Sequence, residues 1–296
     1  MNFAKQLRAF GKGFRLKDRD PAFKGPLDRD KAERLQQKQL AQLLELQDRF
    51  YAHHRDAVLV ILQGMDAAGK DGLIKHVMSG INPAGCEVCS FKAPSLTELD
   101  HDYLWRTHVH TPDRGRIGIF NRSYYEEVLV VRVHPEFLQG QRLPVGAAED
   151  PKIWSRRYED INAFERYLER NGTQVVKFFL HLSKREQAER FLSRIESPAK
   201  NWKFSKADLA ERQHWDDYQK AFEEMIRHTS TDYAPWYVIP ADRKWFARTA
   251  VAAILVEVLK KTKPRYPEVS EAHRRELMQI RKLLLPQVGR RATVKR

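Results

Sequence analysis

Residues 59–72 read LVILQGMDAAGKDG. An apolar run ends at Gly64, four residues intervene, and Gly69 and Lys70 follow, with Asp71 where a phosphate-binding loop ordinarily carries Ser or Thr. The run before the loop reads as a buried strand, and the stretch after it, KDGLIKHVMSG, as a helix. In that setting backbone N–H groups and a helix N-terminus point at an anion, and the lysine ammonium reaches the outer phosphate oxygens. Gly64, Ala67, Ala68, Gly69, Lys70, Asp71 and Gly72 are accordingly assigned to phosphate binding, with Lys75 and Lys92 as further basic contacts. An ordinary glycine-rich turn between strand and helix is the competing reading.

An aspartate at position 71 sets negative charge beside the phosphates, so it is expected to cap the helix or to face away. A metal ion then needs another carboxylate. Asp66, inside the loop, is the first candidate, because magnesium takes one or two carboxylates together with water and phosphate oxygens. Bracing the loop through an Asx turn is the alternative for the same residue. A second ligand is expected at the end of a neighbouring strand. There the run IGIF ends in the neutral Asn121, followed by Arg122-Ser123-Tyr124-Tyr125-Glu126-Glu127. If that stretch is helical, Arg122 and Glu126 share a face, as a simple surface ion pair also would, and Glu126 stands in for the strand-end carboxylate.

Working outward, the β-rich runs AVLVIL (57–62), EVCSF (87–91), GRIGIFN (115–121), TQVVKFFLHL (173–182) and WYVIPA (236–241) alternate with helical patterns. Short apolar strands separated by helices predict an α/β fold with a parallel sheet buried on both faces. An amphipathic helix is expected over about 30–54, another from Ser183 with Glu186 in capping-box spacing, and further helices near 206–228, 243–262 and 268–285. The organisation read from this is an N-terminal extension over 1–30 that wraps the surface, a main domain over 31–262, and a C-terminal helix and tail over 263–296 whose last residues, RRATVKR, fray.

With 296 residues, 42% of them hydrophobic, the chain buries a sizeable core. No run approaches the roughly 18 apolar residues of a membrane span, and the first residues lack an apolar signal core, which gives a cytoplasmic reading with no membrane partner. The two cysteines, Cys86 and Cys89, have no second pair to complete a zinc site and read as small residues near a strand start. Fifty-three basic against thirty-nine acidic residues leave a charge of +14, which suits a polyanion. Nucleic acid, an anionic membrane and inorganic polyphosphate all meet that requirement.

GMDAAGKDG, SFKAPSLTELDHDYLWR, FNRSYYEEVLVVRV, KFFLHLSKREQAERF, WKFSKADLAERQHWDDY and STDYAPWYVIPADRKWF together closely resemble the second family of polyphosphate kinases, the polyphosphate:nucleotide phosphotransferases. The resemblance covers about residues 34–259. It implies a P-loop kinase fold related to thymidylate kinase, a lid at about 195–207, and transfer of the terminal phosphate of inorganic polyphosphate to a nucleotide with Mg2+, for which Mn2+ is a possible substitute. Asp66 and Lys70 match the loop residues that handle metal and phosphate, Arg122 matches the Arg after the second strand-end motif, and Arg132 sits in the adjoining basic stretch. Many members carry Asp-Arg-Ser-x-Tyr where this chain has Asn121-Arg122-Ser123-Tyr124-Tyr125 with Glu126 next. That exchange resembles the subgroup called class III, which accepts nucleoside mono- and diphosphates, and it leaves open whether Asn121 meets the metal directly or through water.

Arg190, Arg194, Lys200, Lys203 and Lys206 read as a basic channel opposite the loop. Trp202, Phe204, Trp215 and Tyr218 are expected to pack lid helices rather than to stack bases. The acceptor phosphate is already ionised at neutral pH, so no general base is required, and His76, His108, His110 and His181 are read as structural or surface groups. The catalytic set is then Asp66, Lys70, Arg122 and Arg132, with Asn121, Glu126 and Asp66 toward the metal and Arg194 and Lys203 toward the phosphate chain. A homo-oligomer is expected, and no nucleic-acid partner. An ATP-dependent nucleotide kinase of the same fold and a basic nucleic-acid-binding protein remain as alternatives.

Overall fold

The computed structural model describes residues 1–288, so the expectation of a frayed RRATVKR lies outside the described residues. These residues hold a five-stranded sheet, β1 (Ala57–Gln63), β2 (Cys86–Ser90), β3 (Ile117–Asn121), β4 (Thr173–His181) and β5 (Trp236–Pro240). All pairings are parallel, in the order β2-β3-β1-β4-β5. Strand β1 is central and buried along its whole length, because AVLVIL offers apolar side chains to both faces.

The helices are α1 (Phe3–Leu7), α2 (Arg29–His53), α3 (Lys70–Val77), α4 (Leu96–Leu99), α5 (Trp105–His108) and α6 (Val130–Val133) in the first half. They continue as α7 (Ile153–Arg170), α8 (Lys184–Glu196), α9 (Lys206–Glu211), α10 (Trp215–Thr229), α11 (Lys244–Lys261) and α12 (Glu271–Leu284). Two cores result. One joins Leu43 and Phe50 of α2, the even positions Val58, Val60 and Leu62 of β1, and Phe246, Ala250 and Ile254 of α11. The other joins Leu59 and Ile61 to Ile161 of α7 and to Phe222 and Met225 of α10. Alternation along β1 thus divides the molecule into two helical layers around one sheet.

The expected strands and the long helices are present, with three differences. The helix read over 206–228 is broken at Arg212–His214, a 3-10 turn that redirects α9 into α10. Helix α7, to which no range was assigned, lies against β4 and supplies buried polar partners described below. The first 28 residues show no period, yet Phe3, Leu7, Phe14 and Leu16 are buried, Phe3 and Leu7 on α1 and Leu16 at the start of a 3-10 turn over Leu16–Asp18. No described helix is long and apolar enough to cross a membrane.

Candidate active site

Strand β1 ends at Gln63, and the chain turns through residues 64–69 into α3, as the loop pattern requires. A Cβ on Gly64 would lie 2.9 Å from the Leu180 carbonyl oxygen, so the first glycine lets the loop pass close to β4. Gly69, at φ +100°, starts α3 in a conformation L side chains rarely adopt. Asp71 does not cap this helix. Gly69 occupies the N-cap with no side-chain bond, and the Asp71 carboxylate instead accepts from Asn121 Nδ2 at 2.8 Å. The expectation of a cap fails because Asp71 sits inside the first turn, past the position from which a side chain reaches back to free amides.

Lys70 is buried and donates from Nζ to the carbonyls of Gly64 at 2.7 Å and Met65 at 3.4 Å. Burial, then the nearby Arg122 charge, lowers its pKa, while Asp66, Glu126 and Asp71 oppose that shift. The loop itself hangs on Arg190 of α8. Its Nη1 donates to the Ala67 and Ala68 carbonyls at 2.9 Å each, Nη2 to Ala241 at 2.5 Å, and Nε to Glu186 at 2.8 Å. Read as part of a basic channel, Arg190 does line the cavity in front of the loop together with Arg194 and Lys200, but it is buried and its donors go to backbone carbonyls, so it braces the loop as well. Gln187, one turn earlier, donates to the Asp66 carbonyl at 2.9 Å.

Beyond β3 the chain enters a left-handed turn at Arg122, φ 64°. Its guanidinium bridges two carboxylates, Nη2 to Asp66 Oδ1 at 2.8 Å and Nη1 to Glu126 Oε2 at 3.3 Å. Glu126 first, and Asp66 after it, raise the Arg122 pKa against the cost of burial. The expected Arg122–Glu126 contact is present, but not as a shared helix face: Arg122 lies before the 3-10 turn Tyr124–Val128, in a left-handed conformation, and reaches forward to Glu126.

That turn is pinned from below. Tyr124 and Tyr125 both donate to Glu165 Oε1 of α7, at 2.8 and 2.7 Å. Glu165 Oε2 pairs with Lys177 of β4 at 2.6 Å, and both side chains are fully buried. Lys177 completes its valence on Tyr125 Oη and the Thr229 carbonyl. Sequence reading missed Glu165. Its only signal was a charged residue on the apolar face of an amphipathic helix, opposite a lysine inside the apolar run TQVVKFFLHL.

Two cavities meet here. The larger, about 800 Å³, is lined by the loop from Asp66 to Gly72 and by Lys92, Asn121, Arg194, Lys200 and Lys244. The smaller, about 260 Å³, has apolar walls from Leu129, Val130, Phe137 and Phe222, with Glu126, Glu211 and Tyr218 as polar members. Asp66 and Arg122 line both.

Of the residues singled out from the sequence for phosphate, metal or channel, Gly64 and Glu126 line only the smaller cavity, and Lys75, Arg132 and the exposed Lys206 line neither. Lys75 lies further along α3. Arg132 donates from Nη1 to Tyr158 Oη at 2.6 Å and lies over Trp154, drawn toward α7 by those aromatic partners. The side chain of Lys203 is outside the described residues. Trp202 does not pack between lid helices. It is 74% exposed at the mouth of the larger cavity, whereas Phe204 meets Phe191 and both Trp215 and Tyr218 are buried as expected.

Three comparisons bear on this site. The profile of the family described as Polyphosphate kinase 2 matches residues 26–267. The chain is 56% identical over 247 residues to "ADP-polyphosphate phosphotransferase" of Rhodopseudomonas palustris, covering 83% of this chain and 86% of that one. It is 48% identical to "AMP/ADP-polyphosphate phosphotransferase" of Meiothermus ruber, covering 78% and 82%. The crystal structure of polyphosphate kinase 2 from Arthrobacter aurescens TC1 superposes with a TM-score of 0.85 at 38% identity, covering 95% of this chain and 97% of that one. A phosphate-binding loop braced at its carbonyls, a basic cavity in front of it, and these matches along most of its length place the chain in the polyphosphate kinase 2 family.

Proposed function

We propose that the protein transfers the terminal phosphoryl group of inorganic polyphosphate to AMP and ADP, reversibly and with Mg2+, Mn2+ being a possible substitute. The observation that carries this reading is the meeting of two cavities at Asp66 and Arg122. One is the larger, is lined by Lys92, Arg194, Lys200 and Lys244 and by the loop, and suits a chain of phosphates held by charge. The other is small, with apolar walls, and suits the nucleoside end of an acceptor.

In this reading an oxygen of the nucleotide's terminal phosphate attacks the end phosphorus of polyphosphate, and the shortened polyphosphate departs with the bridging oxygen. Lys70 leaves its loop carbonyls for phosphate oxygens, and the amides at the start of α3 hold the same group. Arg122 neutralises charge on the transferred group from the seam between the cavities. Lys92, Arg194, Lys200 and Lys244 hold the rest of the polyphosphate. Arg132 acts at one remove, by fixing α6 against α7.

The donor set fits a hard cation. Asp66 presents a half-buried carboxylate to both cavities and Glu126 a second one to the smaller, while Asn121 and Asp71 line the larger cavity with the Asn121 amide nitrogen turned to the Asp71 carboxylate. Asp66 and Glu126 would hold Mg2+, with Asn121 contributing through water. Bound there, the ion supplies charge neutralisation on phosphoryl oxygens.

The names of the relatives, which pair ADP or AMP/ADP with polyphosphate, support this choice of nucleotides. Both cysteines are free, as suits the reducing cytoplasm. Self-association completes the proposal, and light scattering measures it. The functional test supplies Mg2+, long-chain polyphosphate and either AMP or ADP without ATP, and resolves the nucleotides by ion exchange. Phosphorylation of both acceptors is expected. Product from ADP alone removes AMP from the proposal, and product that appears only when ATP replaces polyphosphate overturns it in favour of an ATP-dependent kinase.

A further inference from the structure

We propose that Glu87, Cys89 and His110 form a binding site for a borderline-soft divalent cation of the zinc type, separate from the phosphate cavities. Their ligand atoms, one carboxylate oxygen, one sulfur and one ring nitrogen, all lie within 4.8 Å of one another. None of the three lines either of the cavities that meet at Asp66 and Arg122.

The site is assembled by the fold rather than by a local sequence motif. Glu87 and Cys89 are two apart on β2, so the pleat sends both side chains to one face of this edge strand. Cys86 belongs to the opposite face and packs into the other core, which is why a search for two cysteines acting together finds nothing. His110 comes from the loop after α5, and its ring stands edge-on to Phe91 at 5.9 Å, the next residue on the Glu87 and Cys89 side. Phe91 is itself buried and packed on Phe120 at 4.9 Å, so the exposed histidine rests on a fixed aromatic neighbour.

The distances fit a small ion. Cys89 Sγ lies 3.7 Å from Glu87 Oε1. Donors bonded to tetrahedral zinc at about 2.0–2.3 Å stand about 3.3–3.8 Å apart, so rotation of exposed Glu87 and His110 by about 1 Å at the donor atom closes the triangle. Ligand type then selects the metal. Thiolate and imidazole favour zinc and its neighbours over magnesium, which takes oxygen donors, and the fourth position is left to water. The ion that fits this triad is therefore of a different class from the one that fits Asp66 and Glu126.

The test uses the full chain, stripped with a chelator, dialysed, and titrated with Co2+ in excess Mg2+. A thiolate-to-cobalt charge-transfer band is expected with the visible bands of tetrahedral coordination, saturating near one ion per chain and bleached by Zn2+. Cobalt at Asp66 and Glu126 gives no such band, because no sulfur is present there. Cys89→Ser should abolish the band and Cys86→Ser should keep it. His110→Ala should weaken Co2+ binding tenfold or more, with circular dichroism unchanged. The proposal is overturned by absence of the band in the native chain, by a band that persists in Cys89→Ser, or by one lost in Cys86→Ser. It is equally overturned by binding that His110→Ala leaves unchanged.

Discussion

Asp66 of the phosphate loop and Arg122 of the turn after β3, 56 residues apart in sequence, meet at 2.8 Å. Arg122 reaches Glu126 with its other nitrogen, so the planar fork measures the gap between two carboxylates. Asp66→Asn is expected to lower polyphosphate-dependent ATP formation on the order of 100-fold or more with the fold intact, since charge placement supplies most of phosphoryl-transfer catalysis. Arg122→Lys should fall by a comparable factor, because an ammonium cannot bridge both groups. Steady-state rates within a few-fold of the parent for either variant would remove this pair from the chemistry.

Arg190 supplies the brace for the loop carbonyls. Its replacement by Met leaves the buried carbonyl oxygens of Ala68 and Ala241 and the part-buried one of Ala67 without this donor. A loss of about 3 kcal/mol in urea unfolding is expected, together with a fall in kcat, and Lys should rescue little because one ammonium cannot span both sites. Unchanged stability would show that water or another donor takes over the carbonyls.

Asn121 tells against a second anion at its position. It donates to Asp71 at 2.8 Å, so Asn121→Asp sets two carboxylates face to face. In chelator the melting temperature should fall by about 2–4 °C, and millimolar Mg2+ should close the gap by binding between them. A variant that melts with the parent in chelator contradicts this placement of Asp71.

The pair beneath the turn carries a pH signature. Burial pushes the Lys177 ammonium down to about 8 from an ordinary value of 10.5. Between those values the unfolded chain keeps the proton and the folded chain releases it, so the cost of burial is complete below about 8 and is relieved as pH rises through this window. The unfolding free energy of the parent minus that of Glu165→Gln/Lys177→Met should therefore climb across it, and a flat difference would contradict the account. Glu165→Ala alone strands a buried ammonium and two tyrosine hydroxyls, at a cost of about 3–5 kcal/mol.

The sheet was legible because five apolar runs each carry their own β signal, and the loop because its glycines and lysine lie within a few residues of one another. The Arg122–Glu126 contact was suggested by an i,i+4 spacing, although a left-handed residue before a 3-10 turn, and not a helix face, brings the two together. Direction was not legible. That Arg190 braces the loop as well as lining the channel, that Arg132 meets Tyr158, and that Asp71 takes Asn121 rather than capping its helix are settled by neighbours 51, 26 and 50 residues away. The Glu165 and Lys177 pair is the clearest case. Each residue alone looks misplaced on an apolar face, and only the crossing of α7 and β4 makes them partners.

The Arg190 contact also bears on recombination between relatives. One guanidinium ties the loop carbonyls to the end of β5 from the middle of α8, so a segment exchanged between relatives keeps this brace only when the border falls after residue 190 rather than at the start of the helix. A chimera that imports another member's sequence from Ser193 onward inherits this chain's loop geometry, whereas one cut at Ser183 makes the donor's own helix responsible for holding it.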